Sequence, residues 1–198
     1  ILDFTGFDKE GEYAISYDGR QTPYFKIGDK VWNNATWKVL NYIFCQRCGY
    51  NVPGIHHTCH TDLYSDHEGV SIPYSGGWHD AGDLSQQTLQ TADVMFALFE
   101  AYSKHKDTDP VLAARLKEEA RWGLEFILKN RYGDGYRASS MGLLHWTDGV
   151  LNSKDDIHTV RVQNLPFDNF LYSGYEAYVA LTLKDEDPKS VDYLVKVA

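Results

Sequence analysis

The chain has 198 residues and a formal net charge of −9, with 43% hydrophobic and 24% charged residues. That is a soluble globular composition with room for one good core or slightly more, and its acidic balance argues against nucleic acid or an anionic membrane as partner. No run reaches the roughly 20 apolar residues of a membrane span, and the opening "ILDFTGFDKEGEY" lacks the basic-then-apolar order of a signal peptide, so the chain reads as one entered part-way.

"GEYAISYDG" and "TPYFKIGDK" alternate around a turn and predict the two strands of a hairpin. Such a pair is not stable alone and needs something to pack on. After Asp29 the pattern becomes helical: Trp37, Leu40, Phe44 and Cys48 fall near one stripe, and Gly49 stops it. Residues 50–83 read as a long loop of His, Gly, Pro and Asp with no periodicity, a length usually functional or disordered. "LSQQTLQTADVMFALFEAYSKH" predicts a helix with Leu84, Thr88, Thr91, Met95, Leu98 and Phe99 near one face. "DPVLAARLKEEARWGLEFILKNRYG" predicts another, with Pro110 at its start and Gly133 after its end. "GDGYRASSMGLLHWTDG" reads as a second loop, "FDNFLYSGYEAYVALTLK" as a third long helix, and "DPKSVDYLVKVA" as the beginning of a fourth. Helices alternating with decorated loops predict a mainly α, layered domain behind a short β segment.

The loop "SGGWHDAGD", residues 75–83, carries the chemistry. Asp80 and Asp83 at i and i+3 can share one side of a turn, where two carboxylates repel and raise at least one pKa. Against this stands a plain capping role for Asp83 before Leu84. Gly76, Gly77 and Gly82 tilt the balance, because glycine lets a ligand approach the backbone. Nearby, Cys48, Cys59, His60 and His79 supply two thiolates and two imidazoles, a closed tetrahedral zinc set. The spacing is not that of a zinc finger, and three alternatives stay open. Cys45 and Cys48 could be a redox pair, Cys48 and Cys59 a disulfide, or His56, His57 or His67 could replace one ligand. The 14 Tyr, 9 Phe and 5 Trp suit core packing, and also a cleft in which flat rings stack on sugars.

"FCQRCG", "HHTCHTD" and "SGGWHDAGDLSQQTLQTADVMFALFEAY", in this order, closely resemble the catalytic domain of family 9 glycoside hydrolases, cellulase-type enzymes built on an (α/α)6 barrel. The cysteine motifs resemble the subgroup with an N-terminal immunoglobulin-like domain. The resemblance implies that residues 1–30 end such a β-sandwich and that residues 31–198 form the N-terminal part of the barrel. It is firmest from Phe44 to Tyr102.

The resemblance also implies roles. Asp83 matches the general base, which takes a proton from the water attacking the anomeric carbon, and Asp80 matches the residue that helps hold that water and keeps the base ionised. Cys48, Cys59, His60 and His79 match the ligands of a structural Zn²⁺. Ca²⁺ is implied at family level with no site assigned. Trp78, Tyr136, Arg137, His145 and Trp146 are candidates for glucan contacts. The expected partner is a β-glucan polysaccharide or oligosaccharide (cellulose, mixed-linkage glucan or xyloglucan), and the expected location is secreted, periplasmic or cell-surface.

Two departures qualify this. Leu84 and "SQQ" follow DAGD where the family has an aromatic residue, and no glutamate here matches the motif of the family's general acid. Glu100, Glu118, Glu119, Glu125 and Glu176 read better as solvated helix faces. The aspartate pair cannot serve alone, because inversion needs a proton donor on the side of the sugar opposite the attack. The expectation is therefore an inverting β-1,4-glucanase fragment, inactive as given. The rivals are a zinc-stapled glycan-binding protein without catalysis and a catalytic zinc hydrolase, the latter disfavoured because four protein ligands leave no open metal position.

Overall fold

In the computed structural model, which describes residues 3–82, 84–145 and 156–197, the chain divides into two units, residues 1–41 and 42–198. In the first unit, Asp18 and Gly19 both take positive φ, 48° and 71°. That is the geometry of the tight turn that suits a twisted hairpin. It joins β2 (Ser16–Tyr17) to β3 (Arg20–Gln21), and the arms continue as β1 (Gly11–Tyr13) paired with β4 (Phe25–Ile27). The expected hairpin is present, with Phe4 and Tyr13 against Phe25 and Phe7 edge-on to Tyr13. Helix α1 (Asn33–Cys45) follows and carries the chain into the second unit.

The second unit is mainly helical, as expected. α2 (Thr88–His105) packs on α3 (Pro110–Lys129) and on α4 (Pro166–Leu183), and α4 packs on α5 (Pro188–Val197). Ala92, Met95 and Phe99 of α2 are buried with Leu112, Leu116, Ala120 and Ile127 of α3, and with Val179 and Leu183 of α4. Each set recurs at three- and four-residue steps, the spacing of one helix face. α3 starts as the sequence predicts: Pro110 opens it, and the Asp109 carboxylate accepts from the Leu112 amide.

The sheet differs from expectation. Residues 133–149, read as a loop, contain β8 (Arg137–His145), which pairs antiparallel with β9 (Ile157–Gln163) and, on its other edge, with β7 (Gln86–Gln87). Register shifts at Ala138/Ser140 and Leu143/His145 break the two-residue alternation that would have announced the strand. The long 50–83 loop likewise holds a hairpin of β5 (Tyr64–His67) and β6 (Val70–Pro73), turned by Glu68 and Gly69 at φ 47° and 83°. The helix expected from Leu84 begins only at Thr88, because Leu84 has φ 60° and Gln86 and Gln87 are taken up by the sheet.

Candidate functional site

The segment 75–82 is held from two sides. His79 N donates to Gln46 O at 2.9 Å, and Gly77 O accepts from Cys48 N at 3.0 Å and from Trp122 Nε1 at 2.8 Å. Gly76 and Gly77 have φ of 109° and 68°, and a Cβ on Gly77 would lie 2.4 Å from Gln86 Nε2 and 2.8 Å from the Phe126 ring. These glycines therefore serve close packing inside the protein, not the approach of a ligand expected of them; Gly82 alone has open space around it. Gln86, fully buried, donates from Nε2 to Gly76 O at 2.6 Å. Nothing in "SQQ" marked it as a strut.

Trp78, expected as a sugar platform, is instead a wedge in the core. It is 5% exposed, its ring lies against Gly123 of α3, and its Nε1 donates to Glu119 Oε1 at 2.8 Å. Glu119 also accepts from Arg47, Nε at 3.0 Å and Nη2 at 2.8 Å. The Arg47 guanidinium lies 4.6 Å from the centre of the Trp122 ring and 4.9 Å from that of Phe44. A second buried carboxylate, Glu176, pairs with Arg131 at 3.1 Å and Arg137 at 3.4 Å. Burial pushes Glu176 up, and the two arginines oppose that shift. Glu119 and Glu176, expected on solvated faces, are both fully buried. The signal was present: Glu119 is three residues after Leu116 and Glu176 four after Tyr172, both on the apolar stripes of their helices.

The four sequence-predicted metal ligands come together. Cys48, Cys59, His60 and His79 are buried, and their ligand atoms all lie within 4.8 Å of one another. Cys48 Sγ is 3.5 Å from His60 Nδ1, Cys59 Sγ is 3.4 Å from His79 Nε2, and the Gly49 amide points at Cys59 Sγ at 3.4 Å. None of the three cysteines is in a disulfide. The two buried thiols differ in acidity: the neighbouring Cys59 sulfur and burial push the Cys48 pKa up, and the Cys48 thiol beside it holds the Cys59 pKa down. Two buried thiolates repel without a cation between them, so this donor set fits a divalent metal. The alternative ligands are engaged elsewhere. His56 faces the His57 and Cys45 carbonyls at 2.8 and 3.1 Å, His67 pairs with Asp134 at 2.8 Å, and His57 is exposed.

Asp80 stands next to this buried set and is exposed. Its amide donates to Ser85 O at 3.0 Å, and its Oδ1 accepts from Ser85 Oγ at 3.1 Å. Asp83 and Trp146 lie outside the described residues. Tyr136 is 38% exposed and stacks on His67, ring centres 4.2 Å apart. His145 is exposed at the end of β8. Arg137, expected at the sugar, is 6% exposed and points inward to Glu176, Asn169 and the Tyr172 ring, with burial lowering its pKa. A guanidinium so occupied belongs to the scaffold.

Comparison with known proteins agrees with this layout. The family model described as glycosyl hydrolase family 9 matches residues 32–157. Endoglucanase D of Acetivibrio thermocellus is 28% identical over 157 residues, covering 68% of this chain and 25% of that protein. A cellodextrinase of Butyrivibrio fibrisolvens is 30% identical over 102 residues, covering 46% and 18%. The chain spans about a quarter of the length of the first curated relatives it matches. Among solved structures, a metagenome-derived glycoside hydrolase family 9 endoglucanase superposes with TM-score 0.74 at 23% identity, over 99% of this chain and 40% of that one. A Zn-binding triple mutant of a family 9 endoglucanase gives 0.73 at 20% identity, over 99% and 42%. At these identities the superpositions speak for the fold.

Proposed function

The chain belongs to glycosyl hydrolase family 9, and from that premise we propose that it is the base-bearing part of an inverting β-1,4-glucanase. In this reading Asp83 removes the proton from the attacking water, and Asp80 holds that water and keeps the base ionised. The observation that carries the reading is the mounting of Asp80. It is exposed, yet the two residues before it are buried in the Glu119 network and the metal cluster. A carboxylate that must meet water within a fraction of an ångström needs such a rigid base.

Cys48, Cys59, His60 and His79 would hold one Zn²⁺ with a structural role. The metal would fasten the ligand loop to the end of α1 and leave the reaction to the carboxylates. Sugar contacts are assigned to Tyr136, His145 and Trp146, since Trp78 and Arg137 are engaged in the scaffold. Residues 1–30 are assigned to the end of an immunoglobulin-like domain.

The general acid is assigned to the portion of the relatives that these residues do not span. Glu119 and Glu176 are taken up by arginines, Glu100 accepts from Tyr178 and Lys104, and Glu186 from Lys117 and Tyr102. The 198 residues alone are therefore proposed to release no sugar. The substrate class is a β-1,4-linked glucan met in a secreted, periplasmic or cell-surface setting; no helix among the described residues is long and apolar enough to cross a membrane. Reducing-sugar release from soluble β-glucan by the complete enzyme, with Asp83→Asn beside it, tests the reading. Glucan binding without Asp83-dependent turnover would favour the rival, a zinc-stabilised glycan binder.

A further inference from the structure

His60 has one ring nitrogen more than the metal cluster uses. Its Nδ1 faces Cys48 Sγ at 3.5 Å, whereas its Nε2 points away, to His158 Nε2 on β9 at 3.3 Å. The two rings meet edge to face, centres 4.6 Å apart at 78°. Since His60 is only 2% exposed, the β9 ring takes the place that bulk water would have at a surface ligand. Building on the zinc reading above, we propose that His158 is a positioning residue for the metal centre. It fixes the tautomer and ring orientation of His60, and through that bond it ties the β8–β9 hairpin to the metal loop.

The proton placement follows from the geometry. A ring that gives its Nδ1 lone pair to a metal carries its proton on Nε2. That N–H donates to His158 Nε2, which must then present a lone pair and keep its own proton on Nδ1. One arrangement satisfies the metal and the hydrogen bond together. Without a metal the His60 proton can sit on either nitrogen, so metal binding also selects the direction of the bond.

Two further observations give His158 this task. His60 has φ 51°, a left-handed conformation rarely adopted by a residue with a side chain, so its surroundings must hold it there. His79 offers the contrast: its outer Nδ1 is buried with no hydrogen-bond partner among the described residues. Of the two imidazoles, His60 is the one that a separate element orients. β9 sits well for this, with His158 opposite Leu143 in the β8 pairing and β5, just beyond the ligand segment, packed beside it. Outer partners of metal-bound histidines are commonly worth a factor of about 10 to 100 in metal affinity.

Competition with a chromogenic chelator measures zinc affinity in the wild type, His158→Ala and His158→Gln, while hydrogen exchange with and without zinc follows the amides of β9. His158→Ala is expected to weaken zinc binding by about 10- to 100-fold. His158→Gln, whose amide oxygen can accept from His60 Nε2, recovers part of the loss. Zinc slows exchange in β9 of the wild type and no longer does so in His158→Ala. Zinc affinity of His158→Ala indistinguishable from wild type overturns the proposal. If that variant misfolds, the wild type decides: zinc that leaves β9 exchange unchanged overturns it equally. A wild type that takes up no zinc at all sinks the metal reading itself, which separates the two failures.

Discussion

Trp78 donates its indole N–H to Glu119 at 2.8 Å, with 5% of the tryptophan and none of the glutamate exposed. A carboxylate on α3 thus anchors the loop that carries Asp80, and Arg47 supplies the opposite charge through a two-point contact. Removing one partner of a buried pair costs more than the pair contributes, because the other charge stays buried. Glu119→Gln is expected to lose about 3–5 kcal/mol of stability in urea unfolding. A loss near zero would mean that Arg47 finds another counter-charge; Glu118, 4.0 Å away and 57% exposed, is the candidate.

Acid should loosen the start of α5. Asp187 precedes Pro188, and its carboxylate accepts from Arg121 Nη2 at 2.8 Å and from Ser190 Oγ at 2.7 Å. The Arg121 bond first, then those from Ser190, hold Asp187 down to about 2 from an ordinary 3.8. A lowered folded pKa gives stability that is present above the unfolded value and lost as pH falls through the folded one. The difference in melting temperature between wild type and Asp187→Asn should therefore shrink between pH 3.8 and about 2. A difference that stays constant over that window would show that the charge contributes nothing.

The parts of the fold legible in the sequence are those decided by neighbours in the chain. The Pro110 start of α3, the Asp18–Gly19 turn and the apolar stripe of α2 each depend on a few consecutive residues. The Cys48, Cys59, His60 and His79 cluster was legible because thiol and imidazole are rare chemistry, and the structure gathers the same four into a group that could hold a metal. β8 was not, since its partners lie at Gln86–Gln87 and Ile157–Gln163 and its bulges hide the alternation. Trp78 and Arg137 were misread for a related reason. An aromatic ring or a guanidinium in a Gly-rich segment suits a sugar as well as it suits a buried glutamate, and the glutamates sit on helices far along the chain.

Chelation should destabilise the second unit. A metal that binds only the folded chain stabilises it by mass action, about 2.7 kcal/mol at a hundredfold excess over Kd. Thermal unfolding in zinc and in excess chelator should differ, and elemental analysis should find one zinc per chain, lost in Cys59→Ser. His56→Ala should keep the metal, since its ring nitrogens face backbone carbonyls. A Cys48–Cys59 disulfide with no metal in the purified protein would overturn the assignment.

In the complete enzyme, Asp83→Asn should remove hydrolysis and leave the fold intact. The asparagine amide keeps the size of the side chain but offers no basic oxygen to the attacking water. Losing a general base commonly costs a factor of about 10² to 10⁴. Asp80→Asn should reduce kcat by less, because it alters how the water is held and leaves the base in place. Its Oδ1 contact with Ser85 can survive as an amide oxygen, so the exposed turn should persist. Unchanged melting temperature with lost turnover in Asp83→Asn is the supporting result, read by reducing-sugar release and by the anomer first formed. Wild-type turnover in Asp83→Asn would place the base elsewhere. A product with retained configuration would overturn inversion even if Asp83 proved essential, because a retaining enzyme uses that carboxylate as a nucleophile.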